Sequence, residues 1–190
     1  KIASAGLTHV KIPIGHWIRG DIHESEPWVD GDWEYFVRAV KWCHKYGLKV
    51  LADIHTAPGS QNGFDNSGQL LSQRTARHWS THPDRVARSI KAMEDVARAI
   101  NEEGLDDVVT SVEILNEIYS DANITIVKDF YEKSLGKIRR HLPKATEVVS
   151  DNFDSGQFNL FWTDHSNTLL DTHLYTVFSE KLRSMSPKQH

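Results

Sequence analysis

The sequence lacks three features that would point to particular classes of protein. It has a single cysteine, Cys43, among 190 residues, so no intramolecular disulfide can form, and we expect a buried thiol that packs as a small hydrophobic group. It has no long hydrophobic run, since apolar stretches such as 48–52 are far too short to cross a bilayer. Clustered basic charge is also scarce, because the net charge is −4 and only residues 139–141 gather positive groups. We therefore expect neither a membrane span nor a nucleic-acid partner.

The remaining composition, 39% hydrophobic and 25% charged, is typical of a globular protein with a sizeable core. We expect residues 1–190 to form a single domain, part of a longer protein, because the chain starts at Lys1 without a leader-like segment and ends just after an apolar run. The sequon Asn123-Ile124-Thr125 leaves two interpretations open. It is either an N-glycosylation site of a secreted protein or the cap of a helix.

Five short runs rich in β-branched residues alternate with amphipathic helical patterns. The strands are predicted at 8–14, 48–55, 108–116, 146–150 and 169–175. The helices are predicted at 32–46, 83–103 and 124–141, and they are followed by Gly47, Gly104 and Pro143. Regular alternation indicates an α/β fold of parallel strands joined by right-handed crossovers. The pattern fits an open sheet or a barrel, and five strands are too few for a complete (β/α)₈ barrel of about 250 residues.

Polar side chains collect where the predicted strands end. They are Asp53 and His55 on the second strand, Asn116 and Glu117 on the third, Asp151 and Asn152 on the fourth, and Asp171, His173 and Tyr175 on the fifth. In parallel α/β folds the carboxyl ends of the strands carry the active site, so we expect these groups to meet there. Glu117 is the foremost candidate for acid–base catalysis, because it follows an apolar run and comes directly after an amide side chain.

The histidines leave a second chemistry open. His55, His173 and a third imidazole could bind zinc in a metal-dependent hydrolase barrel. However, no His-x-His or His-x-x-x-His spacing occurs on any predicted strand. We therefore expect no catalytic metal.

The connection between residues 55 and 80 is long and has no apolar periodicity. Loops of this length are usually functional or disordered, and disordered loops tend to lack aromatic residues. This loop contains Phe64 among amides, carboxylates and glycines. Such a mixture suits a sugar, because a pyranose offers hydroxyls for hydrogen bonding and an apolar C–H face for stacking.

Four motifs carry a resemblance to a known family. They are residues 9–17 (HVKIPIGHW), 53–68 (DIHTAPGSQNGFDNSG), 113–117 (EILNE) and 171–178 (DTHLYTVF). Together they resemble glycoside hydrolase family 5, in particular the fungal-type exo-β-1,3-glucanases, over essentially the whole chain. The resemblance implies a (β/α)₈ TIM barrel that is incomplete here, with about strands two to six of eight. It also implies a β-glucan or oligosaccharide substrate, no cofactor, and a location outside the cell or in the cell wall.

The resemblance also implies roles for individual residues. Glu117 is similar to the general acid/base and Asn116 to the residue that binds the sugar 2-hydroxyl. His55, His173 and Tyr175 are similar to supports of the active site, Phe64 and Phe178 to an aromatic pair at its entrance, and Asp65 and Asn66 to polar contacts for the substrate. Such enzymes retain anomeric configuration and need a second carboxylate about 5 to 5.5 Å from the first. The resemblance places that nucleophile on strand seven, beyond these residues, so we expect the isolated chain to be inactive.

Two residues depart from the family pattern. Lys11, which we expect among the substrate-binding residues, stands where the family usually has arginine. Lysine keeps the charge but loses the planar guanidinium. Ile118 stands where a proline is expected after Asn-Glu. We therefore keep two functions open, a retaining exo-acting β-1,3-glucanase and a non-catalytic glucan-binding relative of the same fold.

Overall fold

The strands of the chain form one parallel sheet. A computed structural model describes residues 1–158, 166–178 and 180–186. The strands are β1 (His9–Ile14), β2 (Lys49–Ile54), β3 (Val109–Ile114), β4 (Thr146–Ser150) and β5 (Thr168–Asp171). They pair in the order β1-β2-β3-β4-β5, so each strand lies beside its neighbour in sequence. This order is that of successive barrel strands, because a doubly wound open sheet reverses its order at a switch point.

Helices connect the strands. They are α1 (Asp32–Lys45), α2 (Arg77–Ser80), α3 (Pro83–Glu102), α4 (Ile124–His141) and α5 (Glu180–Arg183). The three long helices confirm the predicted ones to within one residue at each end. Asn123 caps α4, since its side-chain oxygen accepts a hydrogen bond of 2.9 Å from the Thr125 amide. None of the helices in the described ranges has the length and apolarity needed to cross a membrane.

One predicted strand boundary and one predicted loop need correction. The fifth strand was expected to reach residue 175 and ends at Asp171, because His173 and Tyr175 hydrogen-bond to Glu117 instead of continuing the ladder. The loop after β2 contains the short helix α2, which has too few residues to show a helical period in the sequence.

The hydrophobic core lies between one side of the sheet and the helices. Trp79 and Phe130 meet edge to face at 5.0 Å near its centre, and Cys43 is buried as predicted. Other fully buried core residues are Val50, Ala52, Ile54, Val112 and Ile114 on the strands and Met93, Ile100, Val127 and Ile138 on the helices. The core therefore holds the carboxyl ends of β2 and β3 in place. Candidate site residues come directly after these two ends in the chain.

The opposite side of the sheet is open. It bounds a cavity of about 710 Å³ that His9, Lys49, Leu51, Ser111, Val148 and Leu169 help to line. In a complete barrel this space is filled by layers of side chains from all the strands. The α/β class and an incomplete barrel of five parallel strands are therefore confirmed.

One buried histidine makes the stability of the fold depend on pH. His16 follows β1, is 3% exposed, and shares a hydrogen bond of 2.8 Å between its Nδ1 and the Thr56 hydroxyl. The rings of Trp17 and Trp28 meet its ring edge to face. Burial is the main cause that lowers the pKa of His16 from 6.5 to about 4. The folded protein therefore holds a neutral imidazole where the unfolded chain takes up a proton.

We expect the contribution of His16 to the free energy of unfolding to fall as the pH drops from 6.5 towards 4. The His16 pKa is lower in the folded state, so this stability is complete above pH 6.5 and is lost as the pH falls to about 4. A shift of this size corresponds to roughly 3 kcal/mol. In urea denaturation the difference in free energy of unfolding between the wild type and His16→Gln should change over this pH range, whereas the difference between the wild type and His44→Gln, at an exposed position of α1, should stay constant. An equal pH dependence of the wild type and His16→Gln would exclude His16 as the source.

Candidate active site

A cavity of about 750 Å³ lies at the carboxyl edge of the sheet. Seven of the ten residues predicted for the site line it: Phe64, Asp65, Asn66, Glu117, His173, Tyr175 and Phe178. The other three do not line it. They are Lys11, His55 and Asn116, which belong to one polar network with Asp53 and Asp171. The structure therefore brings together side chains from the loops after β2, β3 and β5.

Glu117 is held in place by an unusual backbone. After β3, Leu115 and Glu117 adopt left-handed conformations with φ of 63° and 47°, which non-glycine residues rarely adopt and which cost free energy. The loop after β2 stabilises this turn. The Gln61 side-chain amide donates to the Asn116 carbonyl at 2.9 Å, and the Asn62 amide donates to the Glu117 carbonyl at 3.0 Å. The strained turn therefore directs the carboxylate of Glu117 into the cavity.

The carboxylate of Glu117 accepts hydrogen bonds from three side chains. His173 Nδ1 lies 2.6 Å from Oε1, the Tyr175 hydroxyl donates to the same oxygen, and Asn66 Nδ2 donates to Oε2 at 2.9 Å. Burial by itself raises the pKa of Glu117, which is 3% exposed. The three hydrogen bonds outweigh burial and lower its pKa to about 2. In this arrangement Glu117 is a carboxylate, the form of a general base.

His173 lies between two carboxylates. Its Nδ1 faces Glu117 at 2.6 Å and its Nε2 faces Asp171 Oδ2 at 3.1 Å. An ionised carboxylate only accepts hydrogen bonds, so each ring nitrogen must carry a proton. The hydrogen bond to Glu117 is the main cause that raises the pKa of His173 to about 9. The same carboxylate raises the pKa of Tyr175 to about 12.

Lys11 lies at the centre of an acidic network on the inner side of the sheet. Its ammonium is 2.6 Å from Glu113, 3.7 Å from Asp53 and 3.6 Å from Asp171. It also reaches the Asn116 side-chain oxygen at 3.5 Å. His55 does not line the 750 Å³ cavity, and its Nδ1 lies 2.7 Å from Asp53 Oδ2 of this network.

Glu113 was not predicted as a partner of Lys11. Its position among the buried apolar residues of β3 was the available signal, because a carboxylate there requires a cation. Glu113 is 0% exposed, and burial and the nearby Asp53 raise its pKa to about 7 while Lys11 opposes this rise. The positive charge of Lys11 therefore compensates the buried carboxylate of Glu113.

Three residues have the donor atoms to hold a metal ion. Among the described residues, Glu113, Asp171 and His173 place one ligand atom each within 4.8 Å of one another. Lys11 already contacts the two carboxylates of this group, at 2.6 and 3.6 Å. Its ammonium supplies the positive charge that a metal would otherwise provide, and His55 is not part of the group.

Aromatic rings form a continuous series along the cavity. Phe64 contacts Tyr119 at 5.8 Å and Phe153 at 6.5 Å between ring centroids. Phe153 contacts Tyr175 at 6.3 Å, and Tyr175 contacts Phe178 at 5.4 Å. Tyr119 and Phe153 were missed by sequence analysis, although both closely follow the end of a predicted strand. The cavity therefore combines apolar ring surface with carboxylate and amide groups, as sugar recognition requires.

Comparison with known proteins identifies the family. The family model of Cellulase (glycosyl hydrolase family 5) matches residues 1–188. The chain is 40% identical over 192 residues to the probable glucan 1,3-beta-glucosidase A of Emericella nidulans, covering 100% of this chain and 45% of that protein. It is 39% identical over 194 residues to the glucan 1,3-beta-glucosidase of Blumeria graminis, covering 100% of this chain and 44% of the relative.

Solved structures show the same fold at lower identity. The rutinosidase from Aspergillus niger has a TM-score of 0.77 at 18% identity, covering 92% of this chain and 52% of that chain. A hyperthermophilic endo-beta-1,4-glucanase has a TM-score of 0.65 at 22% identity, covering 93% of this chain and 51% of that chain. The chain thus spans about half the length of the proteins it matches. Because the family model covers nearly all of its residues, the chain belongs to glycosyl hydrolase family 5.

Proposed function

We propose that these residues belong to the catalytic domain of a retaining glycoside hydrolase that releases glucose from the ends of β-1,3-glucan. The observation that carries the proposal is the buried carboxylate of Glu117, held at the carboxyl end of β3 by donors from two other loops. It lies in a cavity lined by aromatic rings that suit a sugar. Relatives named glucan 1,3-beta-glucosidase support the choice of substrate.

In the proposed mechanism Glu117 acts twice. In the first step its carboxylic acid protonates the glycosidic oxygen while a second carboxylate attacks the anomeric carbon. In the second step its carboxylate takes a proton from water, which then hydrolyses the glycosyl-enzyme. The three hydrogen bonds to Glu117 stabilise the form needed for this second step. The first step requires one proton to be held by Glu117 or passed to it.

The other predicted residues have supporting roles in this proposal. Asn116 binds the sugar 2-hydroxyl and is oriented in part by Lys11. His173 and Tyr175 hold Glu117, and His55 orients Asp53 of the network around Lys11. At the entrance the aromatic pair and the polar residues beside it contact the next glucose: Phe64, Phe178, Asp65 and Asn66.

Residues 1–190 by themselves are expected to be inactive. The nucleophile implied by the family lies one strand beyond β5, and without it the covalent route is absent. We place the full-length protein outside the cell or in the cell wall, where a polymeric glucan is accessible.

The proposal is tested by following the anomeric proton of glucose by NMR while the full-length protein acts on laminarin. We expect β-glucose to appear first and to mutarotate later, as retention at a chain end requires. Initial release of α-glucose, or of oligosaccharides without glucose, would contradict the mechanism or the exo mode of action.

The second candidate function is glucan binding without turnover. Lys11 in place of the family's arginine and Ile118 in place of its proline favour it. Ile118 is fully buried, so the fold accommodates this residue after Glu117. Binding of laminarin without any release of glucose, in a folded full-length protein, would favour this candidate.

A further inference from the structure

Asp171 lies on the far side of the His173 ring from Glu117. It is the last residue of β5, and its Oδ2 is 3.1 Å from His173 Nε2 and 3.6 Å from the ammonium of Lys11. Its backbone carbonyl accepts a hydrogen bond of 3.1 Å from the Asp151 amide at the end of β4. The carboxylate is therefore fixed by the sheet and aimed at the imidazole.

His173 lies between Asp171 and Glu117, and one proton can move between its ring and Glu117. With both carboxylates ionised, His173 donates from both nitrogens and carries a positive charge. If the Nδ1 proton moves across the 2.6 Å hydrogen bond to Glu117 Oε1, the imidazole becomes neutral and keeps its Nε2 proton for Asp171. Glu117 then becomes a carboxylic acid. The pair formed by His173 and Glu117 thus holds the proton that the first step of glycoside hydrolysis consumes.

We propose that Asp171 is a positioning residue that sets how strongly the His173–Glu117 pair holds this proton. Its hydrogen bond turns Nδ1 of the ring towards Glu117, and its negative charge favours the imidazolium. The inference rests on the proposed function only where it concerns catalysis, because the proton affinity of His173 is measurable without turnover.

Other charged groups lie close to His173 and Asp171. The test must separate their effects on the proton from the effect of Asp171. His173 is faced by Glu117 and Asp171, and a carboxylate oxygen of Glu113 lies within 4.8 Å of one of its ring nitrogens. The Tyr175 hydroxyl donates to the oxygen of Glu117 that faces the ring. Asp171 is also faced by Lys11, which in turn contacts the buried carboxylates of Asp53 and Glu113. Burial lowers the pKa of Lys11, but its carboxylate neighbours raise it more, so Lys11 stays charged. Because the pKa of Glu113 is about 7, an activity profile alone cannot assign a titration to His173.

The direct test is an NMR titration of the ¹⁵N-labelled imidazole of His173 in the full-length protein, assigned with His173→Gln. In the wild type we expect both ring nitrogens to be protonated at pH 7.5. In Asp171→Asn the imidazole pKa should fall by about one unit or more, the effect of removing an opposite charge at this distance. Asp129→Asn removes a charge from the exposed side of α4 and should leave the His173 titration unchanged. An ordinary His173 pKa near 6.5 in the wild type would overturn the inference without any variant.

The catalytic readout is the pH dependence of kcat/KM on laminarin. The alkaline limb, where the pair loses its last proton, should move to lower pH in Asp171→Asn by the same amount as the NMR titration. In Asp171→Glu, which keeps the charge, the limb should return towards that of the wild type. A merely structural role would lower the rate in both variants without moving the limb.

The possible failures are distinguishable. If the protein cleaves no glucan, the proposed function fails and the NMR titration still decides the role of Asp171. If it cleaves glucan but neither the limb nor the His173 titration moves in Asp171→Asn, the inference fails alone. Should Asp171→Asn not fold, Asp171→Glu and the wild-type titration decide the outcome.

Discussion

Replacing Glu117 with glutamine in the full-length protein is expected to lower kcat/KM on β-1,3-glucan by about 10² to 10⁴-fold, the usual contribution of general acid–base catalysis. Glutamine keeps the shape of the side chain, and its oxygen can accept from His173 and Tyr175 as Oε1 of Glu117 does. It has no titratable proton, so a glucosyl leaving group departs as a poor alkoxide. An aryl glucoside with an activated leaving group needs little acid assistance and should lose much less rate in the glycosylation step.

Azide separates the two roles of Glu117 in this variant. With an activated aryl glucoside the glycosyl-enzyme should accumulate, because water is no longer activated by a base. Azide is a nucleophile that needs no base, so it should restore turnover and yield the β-glycosyl azide with retained configuration. Glu34→Gln, at an exposed position of α1, is the matched control and should behave as the wild type. Equal losses on both substrates, with no rescue by azide, would show that Glu117 is not the acid/base.

Much of the fold could be predicted because its signals are local. Runs of β-branched residues identified all five strands, and three- and four-residue spacing identified α1, α3 and α4. Glycine and proline identified where these helices end. The missed helices α2 and α5 have four residues each, too short for any periodicity.

The contacts within the site could not be predicted in the same way, because they join distant parts of the chain. Asn66 lies 51 residues before Glu117, and His173 lies 56 residues after it. The resemblance indicated that Glu117 is the acid/base, but its ionised state follows from burial competing with three hydrogen bonds. The role inferred for Asp171 likewise depends on which side of the His173 ring it occupies. Sequence therefore predicted many of the groups that line the cavity, and the structure was needed for their protonation.

The second large effect is expected at Lys11, whose loss would leave the buried carboxylate of Glu113 without its cation. Glu113 and Asp53 are both 0% exposed, whereas the Lys11 side chain is 34% exposed. Within the described ranges the contact of 2.6 Å with Lys11 is the only polar contact to the carboxylate oxygens of Glu113, so it is the main compensation for burying this charge. Breaking a buried pair by removing one partner costs about 3–5 kcal/mol. We expect Lys11→Met to lower the free energy of unfolding by about 3 kcal/mol at pH 8, because partial exposure of Lys11 reduces the full cost.

The destabilisation should depend on pH with a definite sign. The pKa of Glu113 is raised above 4.5, so the cost of its charge is present at high pH and disappears as the carboxylate is protonated at lower pH. Urea denaturation should therefore show a larger loss for Lys11→Met at pH 8 than at pH 5. Lys11→Arg keeps the charge and should stay within about 1 kcal/mol of the wild type. The double variant Lys11→Met/Glu113→Gln should recover most of the loss, because no unpaired charge remains at Glu113. Equal losses at both pH values, or no recovery in the double variant, would mean that packing of the Lys11 side chain rather than its charge supports this part of the barrel.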